Sequence, residues 1–247
     1  MGSRLRVAVV TPYCTESAQE LERCHRSVQS QAGVDATHVL VGDGPDVAEL
    51  RFDNAICTRL PVAAHDFGET PRLAGWQIAM DRAFEAVAYL DADNWFYPGH
   101  LHSLASAAAR ANAEIAVSNR ILHHLNGDAM ARCLQSDGIE FSDTNCMMFM
   151  LPAAARWRDV VAAIEPPLKP VHDRVLWCAI IRSGARVART GQFSVAYLSK
   201  VAGHYRSLGL PVPDGVEGRG KRVQEAAQLW AARGNVPFRL DARVAPL

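Results

Sequence analysis

Short apolar runs alternate with helix-spaced amphipathic segments through the first half of the chain, and that alternation limits the fold more than any other feature. Arg4 to Val10 is an apolar run that ends at Thr11-Pro12-Tyr13. Ser17-x-x-Glu20 follows as a capping-box pattern, and Leu21, Cys24 and Val28 then recur at helical spacing. Thr37 to Val41 is a second apolar run, closed by the turn cluster Gly42-Asp43-Gly44-Pro45-Asp46, and Ala55 to Leu60 reads as a third strand. Leu73, Trp76, Met80, Phe84 and Val87 mark a helix from Arg72 to Val87 that leads into a strand ending at Asp91. Pro98 to Ala113 reads as another helix and Glu114 to Ser118 as another strand. This order predicts an α/β fold with a Rossmann-like, mostly parallel central sheet flanked by helices.

Beyond residue 118 the pattern loosens. Ile121 to Ser142 has weak periodicity, Thr144 to Leu151 reads as a buried strand and Pro152 to Ile164 as a helix. Pro166-Pro167-x-x-Pro170 breaks the chain before a helix from His172 to Ser183, and two short strands follow, near Val187 and over Ser194 to Leu198. Gly203 to Gly220 is rich in Gly and Pro and reads as a loop or lid, with a last helix around Arg222 to Arg233.

Composition removes whole classes of function. Hydrophobic residues make up 49% of the 247, which excludes disorder, and 26 basic residues balance 26 acidic ones. A nucleic-acid-binding surface is therefore not expected, and any phosphate site must be local. Met1 to Arg6 is too polar for a signal peptide, and no apolar run approaches the roughly 20 residues of a membrane span. The six cysteines form no C-x-x-C pair, which disfavours a zinc ribbon, and without a secretory signal they read as reduced thiols in a cytoplasmic protein.

The chemistry concentrates at Tyr89-Leu90-Asp91-Ala92-Asp93-Asn94, where an apolar run stops at two carboxylates. Ligands of open parallel sheets bind outside the carboxyl ends of the strands. Hard oxygen donors there suit Mg²⁺ or Mn²⁺ together with substrate phosphates. An acidic turn capping the next helix, near Pro98, is the competing reading.

In order along the chain, Val9-Val10-Thr11-Pro12-Tyr13, Arg26 to Gln31, Val41-Gly42-Asp43-Gly44, Leu90-Asp91-Ala92-Asp93-Asn94, Asp143-Thr144-Asn145-Cys146 and His172-Asp173 resemble the family 2 glycosyltransferases of the GT-A fold. The resemblance covers roughly residues 5 to 200. It implies one GT-A domain over 1–247: a nucleotide-sugar-binding half (1–118), an acceptor-side half (119–200) and a C-terminal loop and helix (201–247). It further implies that Thr11, Pro12 and Tyr13 contact the nucleotide, that Asp43 accepts a hydrogen bond from uracil, and that Arg72 lies near the diphosphate. Asp91 then contacts the ribose or donor sugar, Asp93 binds the divalent metal, and Asp173 is the general base of an inverting displacement. His204 stands where some similar enzymes complete the metal shell with a histidine, a ligand that suits Mn²⁺ and not Mg²⁺. Two positions depart from the family pattern: Gly42 replaces an acid, and His172 stands where the residue before the base is often acidic.

The expected function is metal-dependent transfer from a nucleotide diphosphate donor, a UDP-sugar, to a hydroxyl acceptor on a glycan, lipid carrier or small molecule. A sugar-nucleotide pyrophosphorylase would need a Gly-rich basic loop after the first strand, and Thr11 to Glu20 has neither Gly nor Lys. A non-catalytic nucleotide-sugar-binding protein is the other alternative, and Asp173 discriminates it. Gly215 to Lys221 fits half of a P-loop, but Arg222 replaces its Ser or Thr. It reads as a flexible basic segment able to close over a diphosphate. His123 and His124 read as acceptor-side surface, and Trp95, Phe96 and Trp157 either stack on sugars or pack the core and rim.

Overall fold

The computed structural model describes residues 4–214, 216 and 220–247. Its first unit is β1 (Arg6–Tyr13), α1 (Ala18–Gln29) and β2 (Asp35–Gly42). Ser17 caps α1 with both halves of the capping box formed, and Leu21, Cys24 and Val28 are buried, as their spacing requires. β3 (Ala55–Arg59), α2 (Glu69–Asp81) and β4 (Ala86–Tyr89) follow. The strands β4-β1-β2-β3 are neighbours in that order and all parallel.

The remaining elements extend this frame. They are β5 (Trp95–Phe96), α3 (His100–Ala111), β6 (Ile115–His123), β7 (Ala129–Cys133), a 3₁₀ turn at Thr144–Cys146, β8 (Met147–Met150) and α4 (Arg156–Ala162). A 3₁₀ segment, Pro166–Val171, leads into α5 (His172–Arg182), and β9 (Val187–Leu198), α6 (Ala202–Ser207), α7 (Gly220–Ala232) and β10 (Val244–Ala245) complete the chain. β8 runs antiparallel between β4 and β6, β6 pairs with β7 and β9, and β10 adds to β7. The result is the GT-A arrangement of a central sheet flanked by helices.

Both faces of the sheet are covered, which explains why its strands read as continuous apolar runs instead of alternating ones. Val7 and Val9 face α1 and α3, packing with Cys24, Val28, Leu101 and Leu104. Ala8 and Val10 face α2, α4 and α5, packing with Trp76, Phe149, Trp157 and Trp177. Gly75 lets α2 approach β1 closely, since a Cβ there would stand 2.3 Å from Val10 Cγ1.

Several elements differ from their sequence expectation. α2 stops at Asp81 because Ala83 turns into the left-handed region and Phe84 N–H bonds back to Ala79 O, which leaves Met80 exposed and Val87 in β4. The weakly periodic Ile121 to Ser142 contains the end of β6 and the whole of β7, an antiparallel pair bent by a register shift at Leu122/His123. The two strands expected near Val187 and over Ser194 to Leu198 are one strand, β9, whose pairing with β6 shifts register opposite Gly191. The loop or lid expected over 203–220 begins inside α6. Of the P-loop-like stretch, residues 215 and 217–219 lie outside the described residues.

Candidate active site

A cleft of about 840 Å³ opens at the carboxyl ends of β1, β2 and β4. Pro12, Tyr13, Asp43, Arg72, Asp91 and Asp93 line one part of it. Asp143, Thr144, His172, Asp173 and Tyr197 line the other, and Lys221 and Arg222 at the start of α7 also reach it. Asp91 and Asp93 do not cap the following helix: the N-cap of α3 is Gly99, which makes no side-chain cap.

Asp91 is held by Arg72 and Asn145. Arg72, 5% exposed on α2, forms an ion pair with its carboxylate and also donates through Nη1 to Phe67 O at 2.9 Å. Burial alone would lower the Arg72 pKa, but the Asp91 charge outweighs it and the guanidinium is held above its ordinary range. Asn145 Nδ2 donates to Asp91 Oδ2 at 2.9 Å, and Asn145 Oδ1 accepts from the Asp91 backbone N–H. Asn145 Nδ2 also donates to Asp143 Oδ1 at 2.6 Å, and Asp143 is paired with buried Arg120. A continuous chain of charge-assisted bonds thus runs Arg72–Asp91–Asn145–Asp143–Arg120. From the sequence, Asn145 has no chemistry beyond lining the site and Arg120 has no role. The only available signal is Asp143-x-Asn145, which does not reveal that a 3₁₀ turn beside β8 faces the end of β4.

Asp93 accepts an ion pair from Lys200 Nζ at 3.0 Å, while its backbone carbonyl accepts from Arg23 Nη2 at 2.9 Å. Asp43 is 7% exposed, and its two oxygens accept the backbone N–H groups of Ala64 and His65 at 2.7 and 3.0 Å. It therefore pins the 61–68 loop, in which His65 and Phe67 both have positive φ. Gly42 leaves no room for the acid that the family pattern carries there. A Cβ at that position would meet Val47 at 2.4 Å and the Tyr13 ring at 2.9 Å. Tyr13 itself donates to Ala48 O at 2.8 Å, and burial pushes its pKa up to about 12.

Asp173 occupies the first turn of α5, lines the cleft, and accepts its neighbour Arg174 N–H at 2.8 Å. Beside it His172 Nδ1 donates to Lys169 O at 3.0 Å, and burial, reinforced by Arg72, lowers the imidazole's pKa. Glu69, from the first turn of α2, lies 3.9 Å from His172 Nδ1 and 3.3 Å from Lys169 Nζ. Glu69 is 1% exposed, and burial pushes its pKa up to about 7.

Three expected positions are corrected. Thr11 is fully buried and does not line the cleft: its hydroxyl is bonded to His38 Nε2 at 2.8 Å, beneath α1. His204 is 4% exposed, bonds through Nδ1 to Ser199 Oγ at 2.8 Å, and burial pushes its pKa down to about 3. Among the described residues no three His, Cys, Asp or Glu side chains are placed together as a metal site. His123 is not surface either; its Nδ1 donates to Gly127 O and its Nε2 accepts from Tyr97 Oη. Trp157, 2% exposed, packs in the core.

Fold and cleft together define a GT-A glycosyltransferase. The chain belongs to Glycosyl transferase family 2, whose profile matches residues 8–164. The solved structures of S. aureus TarS 1-349 are similar to it. The UDP complex has a TM-score of 0.60 at 14% identity over 91% of this chain and 70% of that one. A second TarS 1-349 structure scores 0.61 at 13% identity, covering 94% and 74%. The UDP-GlcNAc complex scores 0.59 at 12% identity, covering 92% and 66%. Comparison of the sequence with curated proteins found no match.

Proposed function

We propose that the chain is a metal-dependent, inverting glycosyltransferase that moves a sugar from a UDP-sugar to a hydroxyl acceptor on a glycan, lipid carrier or small molecule. The observation that carries this reading is the convergence of Asp43, Arg72, Asp91, Asp93 and Asp173 on one cleft. The UDP and UDP-GlcNAc complexes of the TarS structures support the donor class. Asp43 retains lone pairs to accept the uracil N–H, beside Pro12 and Tyr13. Arg72 offers its guanidinium toward the diphosphate, and Asp91, oriented by Asn145, accepts from a ribose or sugar hydroxyl.

The carboxylate of Asp93 fits a hard divalent cation. It already holds a positive group, the Lys200 ammonium, and an oxygen donor of this type suits Mg²⁺ or Mn²⁺. Asp93 would hold the ion together with donor phosphates, and His204 is not assigned as a ligand. When bound, the metal supplies Lewis-acid stabilisation for the leaving diphosphate. Asp173 takes the acceptor hydroxyl proton as that oxygen attacks the anomeric carbon from the face opposite the diphosphate. A positioned base of this kind contributes about 10²- to 10⁴-fold. We read 1–247 as one GT-A unit. Among the described residues no helix is long and apolar enough to cross a membrane. We assign the chain to the cytoplasm, at a membrane surface when the acceptor is lipid-linked.

Slow hydrolysis of the donor tests this without knowledge of the acceptor. With UDP-sugars and Mn²⁺, proton NMR should detect first the sugar of inverted anomeric configuration. Asp173→Asn should reduce that turnover by about 10²-fold or more while leaving donor affinity nearly unchanged. A retained anomer, or full turnover in Asp173→Asn, contradicts the reading.

A further inference from the structure

A positive charge facing Asp93 comes from the chain itself. Lys200 lies between β9 and α6, with Nζ 3.0 Å from Asp93 Oδ2 and 3.5 Å from Glu20 Oε1. Both acids sit on fixed backbone. Glu20 is locked into the α1 capping box through Ser17, and the Asp93 backbone is held by Arg23. The Lys200 side chain is 42% exposed, whereas Asp93 is 16% exposed. The carboxylate is thus the fixed half of the pair, and the ammonium is the half that can swing into solvent.

We propose that Lys200 is a built-in competitor for the cation site at Asp93: the chain without metal neutralises Asp93 with its own ammonium, and a divalent ion loads by displacing it. The proposal rests on the reading of Asp93 as the metal-holding residue. An ammonium has three donors and no lone pair, so Lys200 cannot join the shell of a metal on Asp93. Two positive groups on one carboxylate also repel across a few ångströms. Metal alone therefore binds weakly, and the negative diphosphate of the donor tips the exchange by attracting both cations. Glu20 keeps a second carboxylate within reach of the displaced ammonium. Metal loading and donor loading are coupled as a result, and affinity for each rises in the presence of the other.

The test is a titration of Mn²⁺ alone, followed by the electron paramagnetic resonance signal of the free ion, on wild type, Lys200→Met, Lys200→Arg, Asp93→Asn and the Asp93→Asn/Lys200→Met double variant. Circular dichroism verifies that each is folded. Lys200→Met should bind Mn²⁺ about tenfold more tightly than wild type, equivalent to about 1.4 kcal/mol. Lys200→Arg, which keeps the competing charge, should stay near wild type, and the double variant should lose the gain. Unchanged or weaker Mn²⁺ binding by Lys200→Met overturns the proposal while leaving Asp93 as a ligand. The same gain in the double variant places the ion elsewhere, which overturns the reading of Asp93 as well. A UDP titration in EDTA adds a second readout. If UDP binds wild type without metal and Lys200→Met loses that binding, Lys200 itself serves the diphosphate and is not a competitor.

Discussion

Glu69→Gln should make the protein more stable at pH 8 and nearly indifferent at pH 5. Glu69 is 1% exposed at the start of α2, and both its carboxylate oxygens are buried without a hydrogen bond of good geometry. Lys169 Nζ lies 3.3 Å away but directs its closest contact, at 2.6 Å, to Asp66. Burial, only partly offset by Lys169, raises the Glu69 pKa from 4.5 to about 7. The folded state thus binds a proton more tightly than the unfolded one. The associated stability is fully present below pH 4.5 and is lost as pH rises through about 7. The gap between those values, at about 1.4 kcal/mol per pH unit, amounts to about 3 kcal/mol. Glutamine mimics the protonated acid at every pH. Urea unfolding of both proteins should give a stability difference that moves in favour of Glu69→Gln by about 2.5 kcal/mol between pH 5 and pH 8. Asp66, Lys169, Arg72 and His172 are present in both proteins, so their titration largely cancels in the difference. A difference that does not change with pH refutes the argument, because it means Glu69 ionises normally inside the fold.

The other predictions concern the residues that hold the cleft together. Asn145→Ala removes the bonds to Asp91 and Asp143 and strands the Asp91 N–H, so it should cost about 3–5 kcal/mol in urea unfolding. A cost below about 1 kcal/mol would show that Asp91 is positioned without it. Asp43→Ala should cost about 3 kcal/mol, since two amides of the 61–68 loop lose an ionised acceptor, and it should weaken UDP binding more than tenfold. Wild type should bind UDP more tightly than GDP or ADP by calorimetry, and tighter GDP binding sets aside the uracil assignment.

The first half of the fold was legible in the sequence because its signals are local. A capping box at Ser17, turn residues after each strand and helix-spaced Leu21, Cys24 and Val28 are decided within a few residues of chain. The Asp-Ala-Asp strand end was legible for the same reason. What stayed hidden depends on contacts distant in sequence. Asn145 meets Asp91 across 54 residues, Lys200 meets Asp93 across the whole second half, and Glu69 meets His172 between two helices. No pattern of spacing encodes such pairs. Thr11 and His204 show the same limit: each lies in a segment that borders the site, and the sequence does not reveal that the Thr11 hydroxyl bonds His38 or that His204 Nδ1 bonds Ser199. β7 escaped because a strand bent by a register shift loses the two-residue period that would mark it.

The most direct test of the account is a calorimetric titration of UDP into wild type and Asp93→Asn, each with Mn²⁺ and with EDTA. The account predicts binding by wild type that requires Mn²⁺, and loss of that metal-dependent binding in Asp93→Asn with the fold intact. Undiminished, EDTA-sensitive binding of UDP by Asp93→Asn would contradict it.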